Sequence, residues 1–407
     1  MGITWKSGVL TRNLTKPKEI LPYCDNFLTR PGLQCQTKHN STMKQWMLGV
    51  VIFLLSAPVF GQYEFTVEKE LKCTDVKNQQ RTGTCWSFST ISFIEAELMR
   101  LGKGDYDLSE MYMVRNIYKD KARNYVLRQG KANFSQGSLN HDVMRALEMA
   151  GAVPESVYSG LKEGDRYHDH SEMEAALKGF LDGVLESKRP SEKWPGAFEA
   201  IIDQYMGAVP ESFSYNGKTH TPESFKKALP INPDDYVSLT SFAHHPFYET
   251  FILEIPDNYS NGSYFNVPLD ELQAVTDYAL SNGYTVAWDG DVSEKGFSAG
   301  DGLAILPENQ NDDDKFKSPV DEVKVTQENR QQAFENFSTT DDHLMHLTGL
   351  AKDQNGQTYY ITKNSWGEIS DYEGFLYMSA PYFRMKTVGM MVHKDAIPTD
   401  IASKLKL

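Results

Sequence analysis

Cysteine is scarce in this sequence: 407 residues carry four, Cys24, Cys35, Cys73 and Cys85. No two stand at Cys-x-x-Cys spacing, and none pairs with a histidine at zinc-site spacing. That excludes a disulfide scaffold and a structural zinc centre as organising features. Basic residues are in deficit. Lys and Arg total 41 against 55 Asp and Glu, a formal net charge of −14. A nucleic-acid partner requires clustered positive charge, so that class is excluded too. Long apolar runs are missing. The run from Trp46 to Phe60 falls short of the roughly 20 residues that span a bilayer. What the chain does have is 40% hydrophobic and 12% aromatic residues, enough for one large globular domain or two moderate ones.

The short run has a meaning of its own. Met43-Lys44-Gln45 precedes "WMLGVVIFLLSAPVF", and Gly61 follows. A basic start, a short apolar stretch and a small exit residue have the shape of a secretory signal peptide over residues 43–61. Cleavage is expected after Gly61, giving a secreted or periplasmic protein without stable membrane association; an uncleaved anchor is the alternative. Residues 1–42 show no periodicity and read as a non-native upstream extension, with translation starting at Met43, or else as a disordered leader. Without residues 1–61 the chain holds 34 basic and 53 acidic residues.

Residues 62–84 read as extended and then turn-rich. From Cys85 to Leu101, apolar residues at 88, 91, 94, 98 and 101 predict a helix stopped by Gly102. Two more helices are predicted, one at 107–126 with Ser109 as N-cap and one within 138–156 that is ended by Gly151 and Pro154. Residues 161–230 are charged, Pro-punctuated and helix-rich, with Thr221 capping a helix that opens on Pro222. From about 235 the pattern turns to strands, interrupted by helices at 269–283 and 326–337. Residues 343–367 predict a hairpin turning at Asn355-Gly356. A helical first half against a sheet-rich second half is an α+β arrangement, with a cleft favoured where the halves meet.

Cys85 stands at a helix N-terminus, where the dipole favours thiolate. A thiolate nucleophile needs a histidine to carry protons. His168 and His170 fall in the charged region and read as a solvated face. His244 and His245 read as loop residues. The acidic loop 308–315 lacks the glycine and terminal glutamate of a calcium-binding loop. His343 and His346 lie on the strand that opens the hairpin, and their odd spacing sends them to opposite faces. His343 is the better placed to reach a lobe boundary, which makes His346 a decoy. The return strand ends at "KNSWG", where Asn364 offers an acceptor that fixes an imidazole and Trp366 a cover that excludes water.

"NQQRTGTCW", "DDHLMHLTGLA" and "YYITKNSWGE", in that order, resemble the papain-like cysteine peptidases. Thr82-Gly83-Thr84 before the cysteine, the 258 residues from Cys85 to His343, and the segment 269–297 resemble the bleomycin hydrolase and aminopeptidase C branch. The resemblance spans roughly residues 70–397. It implies a papain-like two-lobe fold within residues 62–407: a helical lobe at about 75–160, a helical insertion at about 161–230 and an antiparallel β-sheet lobe at about 235–397. It implies Cys85 as nucleophile, His343 as general base and acid, Asn364 as its orienting partner, and Gln79 in the oxyanion hole with Trp86 and Trp366 in support. The substrates implied are peptides, with no metal and no organic cofactor. The branch's self-enclosing hexamers leave a homo-oligomer open. Branch members with aminopeptidase activity place a C-terminal tail in the cleft, and that tail is short or missing here. An open-cleft endopeptidase or oligopeptidase is therefore the alternative to an aminopeptidase. An inactive peptide-binding homologue and a cysteine acyltransferase stay open as rivals.

Overall fold

The computed structural model describes residues 62–407. The expected signal peptide and upstream extension lie outside the described residues. Strand β1 (Phe65–Glu70) leads to the nucleophile turn and helix α1 (Cys85–Arg100). The helical lobe continues with α2 (Glu110–Leu127) and α3 (Asn140–Ala150). Helices α4 (Ser171–Glu186) and α5 (Trp194–Met206), a hairpin of β2 (Phe213–Tyr215) and β3 (Lys218–His220), and α6 (Pro222–Ala228) complete it. The sheet lobe begins with β4 (Tyr236–Thr240), β5 (Thr250–Ile252) and β6 (Ser263–Asn266), then α7 (Leu269–Ser281), β7 (Val286–Gly290), β8 (Phe297–Ser298) and β9 (Leu303–Ala304). Helix α8 (Gln327–Glu335), β10 (His343–Asp353), β11 (Thr358–Lys363), β12 (Phe375–Ser379), α9 (Ala380–Lys386), β13 (Thr387–His393) and α10 (Thr399–Leu405) follow.

One large sheet runs β5-β6-β4-β13-β7-β10-β11-β12-β9-β8, with β1 added along the later part of β10. Its pairs are antiparallel except β4–β6 and β12–β9. Gly349 marks where β1 docks: a Cβ there would lie 2.4 Å from the Lys69 carbonyl oxygen.

Strand alternation sorts the two cores. On β7 and β10, Ala287 and Leu344 join the helical-lobe core, while Val286, Trp288, Met345 and Leu347 join the sheet-lobe core. Helix α1 sits between the cores and is buried from Cys85 to Leu98. Its hydroxyls make that possible, because each finds a partner. Ser87 Oγ donates to the Glu110 carbonyl at 2.8 Å, Thr90 Oγ1 to the Trp86 carbonyl at 2.7 Å, and Ser89 Oγ to the Met345 carbonyl at 2.9 Å. The last of these ties α1 directly to β10.

Two expectations need correction. Residues 161–230 are not wholly helical: Asn216 and Gly217, both at positive φ, turn the β2–β3 hairpin. His170 is buried rather than on a solvated face, because the loop before α4 folds back onto the nucleophile turn. Arg81 N–H donates to the His168 carbonyl at 3.1 Å, and His170 N–H to the Arg81 carbonyl at 3.3 Å.

Candidate active site

The site is built from two turns stitched together by backbone. The first, residues 77–84, leads into α1. The second, residues 364–367, follows β11. Asn78 and Trp366 form an antiparallel bridge. Gln79 N–H donates to the Ser365 carbonyl at 2.8 Å, and Gly367 N–H to the Lys77 carbonyl at 3.1 Å. Segments almost 300 residues apart in sequence are thereby fixed in one register.

The Gln79 side chain is held at both ends. Its Oε1 accepts from Ser365 Oγ at 2.6 Å, and its Nε2 donates to the Thr82 carbonyl at 2.6 Å. One Nε2 hydrogen remains for another acceptor. The turn is braced by Thr82 Oγ1, which donates to the Gln79 carbonyl at 2.7 Å. Gln136 holds both flanks of the cysteine. Its Oε1 accepts from Gly83 N–H at 2.7 Å, and its carbonyl accepts from Trp86 Nε1 at 2.9 Å. Trp86 is fully buried and anchors the start of α1.

Cys85 is the first residue of α1, and the Thr84 side chain does not cap the helix. The first-turn N–H groups and the positive end of the dipole therefore face the thiol region. Cys85 packs in the helical-lobe core, as does Leu344, the residue after His343. Burial pushes the thiol up to about 12, helped by the negative fields of Asp341, Asp257 and Asp289 and opposed by the Leu344 backbone.

His343 opens β10 and is buried. Its Nε2 lies 2.8 Å from Asn364 Oδ1, which also accepts from Ser365 N–H at 2.7 Å. An amide oxygen only accepts, so the imidazole hydrogen is on Nε2 and Nδ1 keeps its lone pair. The Trp366 ring lies 4.7 Å from the imidazole, tilted by 36°, and shields the bond. Burial lowers the imidazole to about 4, with the Asn364 bond opposing the shift.

His346 has different neighbours. Its Nδ1 meets Ser92 Oγ at 2.9 Å, and Ser92 Oγ accepts from Lys363 Nζ at 2.8 Å. The ring is fully buried, edge-on to Phe93. It links α1 to β10 through Ser92 and makes no hydrogen bond to Asn364. Ser365 and Gln136 were not singled out in the sequence. Ser365 lies inside the "KNSWG" motif and could have been. Nothing local marks Gln136, whose role depends on a long-range contact.

Among the described residues one group converges like metal ligands: His244, His245 and Glu254. Gln331 Oε1 accepts from Ala243 N–H, which turns its Nε2 toward His244 Nδ1 at 3.0 Å. His244 Nδ1 is then an acceptor and its Nε2 carries hydrogen, bonded to Glu254 at 3.2 Å. A metal at Nε2 needs that lone pair free, so this donor set does not suit one.

Residues 63–177 match the papain family of cysteine proteases, and residues 211–407 match the Peptidase C1-like family. The chain belongs to the papain-like cysteine peptidases. It is 23% identical over 404 residues to Aminopeptidase G of Lactobacillus delbrueckii subsp. lactis, covering 86% of this chain and 88% of that one. It is 20% identical over 385 residues to the bleomycin hydrolase of Gallus gallus, covering 81% and 82%. The crystal structure of PepW from Lactobacillus rhamnosis HN001 superposes with a TM-score of 0.65 at 20% identity over 84% of each chain. The expected α+β papain-like architecture is thus the observed one. This peptidase is a hydrolase of the cysteine type, as the resemblance implied.

Proposed function

We propose that this peptidase is an exported aminopeptidase acting through Cys85, His343 and Asn364, with Gln79 in the oxyanion hole. The observation that carries the proposal is the bond from His343 Nε2 to Asn364 Oδ1, because it leaves Nδ1 as a base. Nδ1 takes the proton of Cys85 Sγ, and Sγ attacks the carbonyl carbon of the substrate. The carbonyl π pair moves onto oxygen. That charge is met by the free Nε2 hydrogen of Gln79 and by the Cys85 N–H, which has no intrahelical acceptor. Collapse breaks the C–N bond. The leaving amine takes the proton from Nδ1, and a thioester remains on Cys85. Water then gives a proton to Nδ1 and its oxygen attacks the thioester. Sγ departs and recovers the proton. The balance is one peptide bond plus water, with no metal or organic cofactor needed.

The two shifts at the site favour a neutral thiol and imidazole before substrate arrives. Proton transfer would create opposite charges side by side, and their attraction offsets the burial penalty of each. The positive end of α1 acts in the same direction.

Aminopeptidase action is supported by the names of several relatives, among them Aminopeptidases G and W. Export is supported by the signal-like stretch Met43 to Gly61. Hydrolysis of aminoacyl-coumarin amides tests the chemistry. Cys85→Ala and His343→Ala should each lose at least ~10³-fold in kcat. Full activity in Cys85→Ala would end the proposal. Export is tested by sequencing the mature N-terminus, expected at Gln62.

A further inference from the structure

Three acids stand near the nucleophile, Asp289 buried and Asp257 and Asp341 partly buried, and the hydrolytic steps above do not use them. Asp289 on β7 is the cross-strand partner of Leu344. Cross-strand partners share a face, so Asp289 points to the helical-lobe side, where Leu344 and Cys85 pack. It is 0% exposed, and neither of its oxygens has a hydrogen-bond donor. Asp341 stands two residues before His343, and its Oδ2 is also buried without a donor. Burial and the neighbouring Asp341 hold Asp289 well above the usual carboxylate range, and burial with the charge of Asp257 raises Asp341 to about 7, a hydrogen bond with Asp289 opposing that rise; such a bond requires a proton shared between the two carboxyls. Asp257 adds a third carboxyl to the group. It lies so near Gly137 that an added Cβ there would be 1.7 Å from its Oδ2. Gly137 follows Gln136, which holds the residues on either side of Cys85.

The charges do not balance. The cation beside these acids is Lys121, buried, with Nζ donating to the carbonyls of Ser135 and Gly137. It offsets Asp257, which also accepts from Asn133 Nδ2 at 3.0 Å and Ser135 Oγ at 3.5 Å. The charge of Lys121 also reaches Asp341, but one cation against three carboxyls that share one proton still leaves one negative charge over. A buried, uncompensated charge is costly unless a ligand pairs with it.

We propose that Asp289, Asp341 and Asp257 receive the α-ammonium group of a peptide substrate, so that the enzyme removes single residues from free N-termini. In the first residue of a peptide, the nitrogen is about 2.5 Å from the carbonyl carbon, two bonds away. Whatever binds that nitrogen must flank the nucleophile, which is where these acids stand. Asp257 over Gly137 also occupies space that further residues ahead of the scissile bond would need. An acylated nitrogen carries no charge and one hydrogen, and leaves the acids unpaired.

The proposal rests on Cys85 being the nucleophile, and the test separates the two. The purified protein is assayed on aminoacyl-coumarin amides with free or acetylated amines, while iodoacetamide labelling of Cys85 reports the thiol independently. The free amine should be favoured by about 100-fold in kcat/KM. Asp257→Asn and Asp341→Asn should each raise KM for the free amine about tenfold and narrow that preference, with labelling of Cys85 retained. Equal cleavage of both substrates with Cys85 labelled overturns the proposal and leaves the nucleophile standing. So does a preference for blocked substrates with Lys or Arg one residue ahead of the cleaved one, because the acids would then receive a side chain. Unaltered KM in both variants also overturns it. No cleavage and no labelling overturns the nucleophile assignment, and the ammonium site with it.

Discussion

Asn364→Ala isolates the contact on which the proposed mechanism turns. Asn364 Oδ1 accepts from His343 Nε2 at 2.8 Å and from Ser365 N–H at 2.7 Å. All three residues are buried, and Trp366 lies against the imidazole. Removing the acceptor strands two donors that water does not easily reach. Each buried donor left without a partner costs about 1–3 kcal/mol, so about 2–6 kcal/mol of stability should go. The imidazole is also freed to place its hydrogen on Nδ1, the wrong nitrogen for deprotonating a thiol. A loss of about 10- to 100-fold in kcat, or ~1.4–2.8 kcal/mol, is expected, with KM little changed. Asn364→Asp supplies the control. A carboxylate still accepts from Nε2, and its charge favours imidazolium. His343 should rise from about 4, so the acid limb of the pH–rate profile moves to higher pH while turnover partly survives. The assays are steady-state kinetics on an aminoacyl-coumarin amide across pH, and thermal melting. An Asn364→Ala protein with wild-type kcat, wild-type melting and an unshifted profile would refute the reasoning.

Gln79→Ala should lower kcat by about 10²–10³-fold with a small change in KM, since the lost hydrogen bond forms only as oxyanion charge develops; equal loss in KM would place Gln79 in ground-state binding. His346→Ala should lower the melting temperature, because it empties a buried position between Ser92 and Phe93, yet the folded protein should keep activity within a fewfold. A His346→Ala enzyme as inactive as His343→Ala, at a temperature where both are folded, would contradict the assignment. Glu322 is partly buried, and that burial raises its carboxyl to about 7 although Oε2 accepts from Leu306 N–H and Ser379 Oγ. A carboxyl raised on folding contributes stability that is full below its ordinary value of 4.5 and is lost as pH rises through about 7. Glu322→Gln should therefore stabilise the protein at pH 8 by on the order of 2 kcal/mol and give no gain at pH 5, read by urea unfolding at both pH values.

What could be read from the sequence was mostly local. Helix α2 begins as expected, because Ser109 Oγ accepts from Tyr112 N–H and so signals its own cap. Helix α6 does the same through Thr221. Helix α3 stops at Ala150, where the expected stop signal Gly151 takes positive φ. The β2–β3 hairpin had a readable Asn216-Gly217 signal that the surrounding charge obscured. The residues named for the site lie on short motifs, so their identities needed no long-range knowledge. What joins them did. The Asn78–Trp366 bridge, Gln136 beside Cys85 and β1 on β10 are contacts between distant segments, and one sequence carries no trace of such pairings. Nothing local in the sequence marks Asp289 or Asp341 as part of the site. Only the register of β7 on β10 places Asp289 inside, opposite Leu344.

The most direct test of the central claim is to treat the protein with an epoxide cysteine-peptidase inhibitor, map the adduct by mass spectrometry, and follow hydrolysis of an aminoacyl-coumarin amide in parallel. Cys73 is a built-in control, a free thiol more exposed than Cys85. A single adduct on Cys85, formed in step with loss of hydrolysis and absent from His343→Ala, is the predicted result. An adduct on Cys73 alone, or hydrolysis that survives full modification of Cys85, would contradict it.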